Sequence, residues 1–191
     1  GENCASRDPK SFLEKPHEMS SIKKVIGVVS GKGGVGKSLT TSLLAAFAKK
    51  KGLSVGIMDA DITGPSIPHM FGVKDRATGD ENGINTVLSP SGMQMMSMNL
   101  LLDDETSPVI WRGMVISGTV MQFWTDVIWK DVDLLFIDMP PGTGDIHLTI
   151  LSEIKLDGAV IVSTPQQVAV ADVVRGVEMF RHEQVGVPVL G

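Results

Sequence analysis

The chain is short of cysteine, of long apolar runs and of positive charge, and each shortage removes a class of answer. Cys4 is the single cysteine among 191 residues. No intrachain disulfide can form, which fits a reducing compartment. No apolar run approaches the roughly 18 residues that a membrane helix requires. The first twenty residues, GENCASRDPKSFLEKPHEMS, contain nothing like the apolar stretch of a signal peptide. A cytoplasmic location follows, with no membrane partner. The net charge of −5 leaves no surplus cations to displace counterions from a polyanion, so no nucleic-acid partner is expected.

What remains is enough for one α/β domain: 42% hydrophobic and 20% charged residues over this length. Residues 1–22 carry Pro9, Pro16 and many charges without periodicity, the pattern of a loose arm. The domain proper is expected over 23–191. It opens with an apolar run, KVIGVVS, then a glycine-rich loop, then SLTTSLLAAFAKKKG, a helix with apolar residues on one side. Lys49, Lys50 and Lys51 fall in its last turn, where cations suit the carbonyl end of the dipole, and Gly52 stops it. SVGIMD (54–59), DLLFID (133–138) and GAVIVST (158–164) read as strands, GMQMMSMNLLL as one further buried strand, and VPVLG (187–191) as the start of another. Residues 114–130 and 167–182 read as helices, and 73–91 as a surface excursion. Met93, Met95, Met96 and Met98 suit core packing better than a soft-metal site. Strands apolar on both faces, alternating with helices, predict a mostly parallel sheet covered by helices on both faces.

Gly31-Lys32-Gly33-Gly34-Val35-Gly36-Lys37-Ser38 fits G-x-x-x-x-G-K-[ST] between a strand and a helix. Gly33, Gly34 and Gly36 permit backbone angles closed to other residues, so consecutive N–H groups can face a polyphosphate. The helix that follows adds its positive end. Lys37 neutralises the β- and γ-phosphates and the Ser38 hydroxyl ligates Mg²⁺. Lys37 is expected in a solvent-facing loop, so that Lys37→Ala spares the fold. Lys32 is not needed to hold phosphate from its own chain. It is either a solvated side chain or a cation that reaches a partner's nucleotide.

Asp138 closes the run Leu134-Leu135-Phe136-Ile137, the place for a carboxylate that holds Mg²⁺ directly or through its water. Asp59 and Asp61 lie two apart at a strand end and can face one side. One can contact the magnesium shell while the other orients the attacking water; Asp59 is assigned to the metal and Asp61 to catalysis. Asp145 precedes a helix and is either its N-cap or a chemical group. His17, His69, His147 and His182 show no ligand spacing and read as ordinary surface or core residues. No Asn-Lys-x-Asp guanine-reading motif occurs, which favours ATP.

GKGGVGKS, with its extra Lys32, resembles the deviant-loop ATPases that include MinD, ParA and the nitrogenase iron protein. Within them, DADITGPSIP (59–68), WRG (111–113), DMPPGTGDIHLT (138–149) and STPQQVAVADVVRG (163–176) resemble the Mrp, or ApbC-type, iron–sulfur cluster carriers. The resemblance covers residues 22–191. It implies the P-loop fold of that class and an ATP-hydrolysing homodimer that holds an iron–sulfur cluster and delivers it to apoproteins. It also implies that Lys32 acts across the dimer, Asp59 and Asp61 belong to a first switch, and Asp138 with Gly142 to a second. The competing reading is a MinD- or ParA-like positioning ATPase on a membrane or DNA. Gly-Pro-Ser after Asp61 and Pro-Pro-Gly-Thr-Gly-Asp favour the carrier.

Two departures matter. Met114 stands where many members have proline. The family's Cys-x-x-Cys cluster ligands lie beyond the position where this chain stops, so the C-terminal part of the family domain is expected to be absent. VPVLG ends without a helix to cover it, and a symmetric dimer offers only two Cys4 thiolates against the usual four. The expectation is a piece that binds nucleotide without holding a cluster as the family does.

Overall fold

The computed structural model describes residues 13–61, 66–101, 120–142 and 145–165. The Trp111-Arg112-Gly113 motif, Met114, Cys4, His182 and the segments 167–182 and 187–191 lie outside the described residues.

Strand β1 (Ile22–Ser30) runs into the glycine loop, and helix α1 (Lys37–Lys50) leaves it. Strand β2 (Val55–Asp59) follows, then α2 (Ile67–Met70), β3 (Ile84–Asn85), β4 (Val87–Leu88), β5 (Gln94–Met96) and α3 (Met98–Leu101). After the segment 102–119 come α4 (Met121–Thr125), β6 (Val127–Ile128), β7 (Val132–Asp138), α5 (Asp145–Glu153) and β8 (Gly158–Val162).

Six strands form one sheet in the order β4-β5-β2-β7-β1-β8, and β3 pairs with β6 in a small second sheet. All neighbours in the large sheet are parallel except β4, which runs antiparallel to β5. The core strands are Val-, Ile- and Leu-rich because both faces are covered; Val28, Ile57, Met58, Leu135 and Ile137 are fully buried. From β1 the chain crosses β7 to reach β2; from β7 it crosses β1 in the opposite direction to reach β8. Right-handed crossovers then put α1 and α5 on opposite faces. Connections diverging from two adjacent strands open a crevice at the carboxyl ends of β1 and β7, the usual ligand position in such sheets.

The mostly parallel sheet with flanking helices is as predicted, and the methionines pack as expected, with Met93, Met95 and Met96 essentially inaccessible. Lys49 and Lys50 fill the last turn of α1, and Lys51 lies 5.2 Å from the Phe47 ring centre.

Four local expectations change. Residues 93–101 are not one strand: pairing stops at Met96, and α3 begins at Met98. The segment 73–91 is more than a surface excursion, because β4 within it extends the main sheet and Ala77, Ile84 and Val87 are buried. In 120–130, helix ends at Thr125 and β6 follows to pair with β3. Residues 14–21 are tied to the body. Glu14 N–H donates to the Glu153 carbonyl (2.8 Å), Ser21 N–H to the Trp129 carbonyl (2.8 Å), and the Trp124 indole to the Glu14 carbonyl (2.9 Å).

Candidate functional site

The crevice is built by three strand ends and the loops that leave them. After β1, Gly34 and Gly36 take positive φ, +75° and +90°, with nothing near the place a Cβ would occupy. Space is free there; the left-handed backbone is what demands glycine. Gly36 is the N-cap of α1. No side chain closes that cap and the first turn holds no acidic residue, so its leading N–H groups are available to an anion. Gly31, Lys32 and Val35 are half-buried and Gly33 is exposed, with a Cβ at Gly33 placed 3.9 Å from Pro141. The Ser30 hydroxyl donates to the Lys32 carbonyl at 2.9 Å.

Lys37 is not in a solvent-facing position. Its side chain is 6% exposed and its ammonium lies 2.7 Å from Asp138 Oδ1, with Asp138 fully buried. The helix geometry explains this: Lys37 is the first residue of α1, which packs over β7, and Asp138 is the last residue of β7. Two hydroxyls complete the carboxylate's partners. Ser38 Oγ donates to Oδ2 at 2.7 Å and Thr41 Oγ1 to Oδ1 at 2.9 Å. Lys32 takes no part in this cluster.

Asp59 and Asp138 are register partners on β2 and β7. Asp59 accepts backbone N–H groups from Asp61 (3.2 Å), Ser66 (3.1 Å) and Ile67 (3.2 Å), so it ties the start of α2 to the end of β2. Burial, followed by the neighbouring charge of Asp138, pushes its carboxyl up to about 7, against the opposing pull of the Ile67 and Asp61 N–H groups and of Lys37. Asp61 is half-buried at the edge of the segment 62–65. The second strap is fastened to β1: Met139 N–H donates to the Val28 carbonyl (3.0 Å) and Gly142 N–H to the Ser30 carbonyl (3.2 Å). Helix α5 starts at Asp145, which places that residue in the first turn rather than ahead of it.

The structure therefore brings Lys37, Ser38, Asp59 and Asp138 together. Thr41 and His147 were missed. Thr41 falls one turn after Lys37, a spacing that could have flagged it. His147 belongs to the core, as expected, but beside the site. It is 1% exposed, and burial followed by the Lys37 charge holds its imidazole down to about 4, against a hydrogen bond to the Pro140 carbonyl. It is neutral at physiological pH, and Nε2 has no hydrogen-bond partner among the described residues.

Residues 21–191 match the ParA family, described as the NUBPL iron-transfer P-loop NTPase. The chain belongs to that family. An iron–sulfur cluster carrier protein of Pseudomonas fragi is 44% identical over 191 residues, covering 99% of this chain and 65% of the relative. One of Methanococcus maripaludis is 43% identical, covering 100% of this chain and 68% of the relative. This family member thus spans about two thirds of the length of these relatives. Among solved structures, a nucleotide-binding protein from Archaeoglobus fulgidus in complex with ADP superposes with a TM-score of 0.73 at 41% identity, over 94% of this chain and 68% of that one. MinD of Pyrococcus furiosus superposes at 0.62 with 19% identity, over 88% and 70%, which shows the fold alone. Among the described residues no helix is long and apolar enough to cross a membrane.

Proposed function

We propose that this chain is the ATP-binding and ATP-hydrolysing part of an iron–sulfur cluster carrier, switching through a nucleotide-dependent homodimer in a reducing cytoplasm and passing its cluster to apoproteins. The observation that carries the reading is the Lys37–Ser38–Asp138 cluster at the mouth of a glycine loop with an uncapped helix, in a chain 44% identical to a named carrier. The similarity to an ADP-bound relative supports a nucleotide here.

The residues also fit Mg²⁺. Asp59 and Asp138 put two buried carboxylates beside one ammonium, and the Ser38 hydroxyl adds a third hard oxygen donor. When bound, the cation offsets the phosphate charge. The protein's own moves follow from the geometry. Lys37 exchanges Asp138 for the β- and γ-phosphates, while backbone N–H groups of residues 33–37 face the same oxygens. Asp61 orients the attacking water. Asp59 couples the site to α2 through its three N–H bonds, a link through which the first switch can sense the γ-phosphate, as Gly142 does for the second. Lys32, outside the Lys37–Asp138 cluster, is assigned to the partner's nucleotide. The cluster is cargo; among the described residues no group of three His, Cys, Asp or Glu side chains could hold a metal.

Calorimetry with ATP and Mg²⁺ tests the binding half, and absence of saturable heat would overturn it. The dimer half predicts specific activity that rises with protein concentration, with Lys32→Ala losing turnover while keeping affinity. Activity independent of concentration in both proteins would remove the trans role.

A further inference from the structure

The buried hydroxyl of Thr41 is a feature of the site that the phosphate-loop motif does not include. It lies 2.9 Å from Asp138 Oδ1 and 3.0 Å from the carbonyl oxygen of Lys37, one turn back on α1, and the residue is inaccessible to solvent. A hydroxyl has one proton, so only one of these two acceptors receives a full hydrogen bond. The carboxylate is the stronger acceptor because it is charged. Bonding of threonine to the carbonyl four residues back is a routine helix feature and explains the rotamer alone. It does not explain why that rotamer also meets Asp138 across 97 residues of sequence.

Three donors surround Asp138: Lys37 and Thr41 on Oδ1, Ser38 on Oδ2. In the function proposed above, on which this inference rests, two of them leave. Lys37 turns to phosphate and the Ser38 hydroxyl turns to the cation. Thr41 is rooted in the second turn of α1, and its other acceptor, the uncharged Lys37 carbonyl, is the weaker one. We propose that Thr41 is a positioning residue: it keeps the Asp138 carboxylate aimed at the magnesium position after Lys37 and Ser38 have changed partners. Donors of this kind behind a metal-holding carboxylate are worth about 10- to 100-fold in metal affinity.

The test uses the whole chain and ADP as probe, by calorimetry across a Mg²⁺ series, with urea unfolding of the ligand-free protein in parallel. Thr41→Val keeps the shape and removes the hydroxyl. The Mg²⁺ concentration needed for half of the affinity gain should rise at least about 10-fold, with Mg²⁺-free ADP affinity unchanged. Thr41→Ser should restore the wild-type Mg²⁺ dependence. If Thr41→Val does not fold, Thr41→Ala carries the same expectation. A wild-type Mg²⁺ dependence in Val or Ala variants, whatever their unfolding midpoint, would show that Thr41 only caps a turn, and the proposal would fall. Absence of any Mg²⁺ effect in the wild type would instead overturn the functional reading beneath it.

Discussion

Replacing Lys37 should cost this protein stability as well as nucleotide. A phosphate-loop lysine in open solvent could be truncated without harm to the fold, but this ammonium is buried against a fully buried carboxylate at 2.7 Å. Removing one partner of such a pair leaves an uncompensated charge and typically costs about 3–5 kcal/mol. Ser38 and Thr41 remain as donors to Asp138, which places the expected loss near the lower figure, about 3 kcal/mol. For a chain of this size that corresponds to a fall in Tm of about 6–12 °C. Urea unfolding without nucleotide reads it directly for Lys37→Ala, and Lys37→Met, which keeps most of the stem, separates charge from packing. The deficit should also depend on pH. With the cation gone, Asp59 loses the Lys37 charge that opposes its upward shift while the Asp138 charge beside it stays, so its folded pKa rises further above the unfolded value. Stability tied to a raised carboxyl pKa is intact below the unfolded pKa and is lost as pH rises through the folded one. The loss should therefore be largest above pH 7 and shrink toward pH 5. A Lys37→Ala protein within about 0.5 kcal/mol of wild type at pH 8 would refute the buried-pair account, since that is the scatter of an ordinary surface substitution.

Three further outcomes follow from the geometry. Asp59→Asn removes a carboxyl raised to about 7, so the stability of the variant relative to wild type should climb between pH 4 and pH 7, by up to about 4 kcal/mol; parallel pH profiles for the two proteins would contradict this. Gly56→Ala places a Cβ 3.0 Å from both Leu135 Cδ1 and Trp129 Cε3, an overpacking worth about 1–3 kcal/mol in urea unfolding. Asp61→Asn should slow single-turnover hydrolysis far more than it weakens ATP binding; an equal loss of both would move Asp61 from water positioning to the magnesium shell.

Much of this was legible in the sequence because the signals are local. The phosphate loop is a fixed spacing between a strand and a helix, and the long strands are continuous apolar runs. Other features were hidden because their cause is tertiary. The run Met93–Leu101 is interrupted by Gln94, Ser97 and Asn99 at no single period, so nothing in its pattern marks the change from β5 to α3. Strand β4 has two residues, too few for any periodicity, and exists because β5 offers it an edge. Residues 14–21 look like an arm because their anchors, the Trp124 indole and the backbone carbonyls of Trp129 and Glu153, lie more than a hundred positions away. The burial of Lys37 has the same origin. A lysine after a glycine loop reads as exposed until α1 is laid over β7 and Asp138 is placed beneath it.

The uncapped start of α1 sets local order against occupancy. A helix normally closes its first turn with a side-chain acceptor worth about 1 kcal/mol. Here Gly36 supplies none and no acid follows, so that turn is finished only when an anion sits on it. Amide hydrogen exchange at the head of α1 should therefore slow on ligand binding more than at its middle. Leu39, third in the helix and 55% exposed, marks where the conflict could be exposed by design. Leu39→Glu would put a carboxylate by the positive end of the dipole and gain roughly 0.3–1 kcal/mol of stability. The same charge would repel the phosphates it imitates. Any sequence that repaired this helix from within would be competing with its own ligand, which makes the weak first turn a condition of binding rather than a defect of the fold.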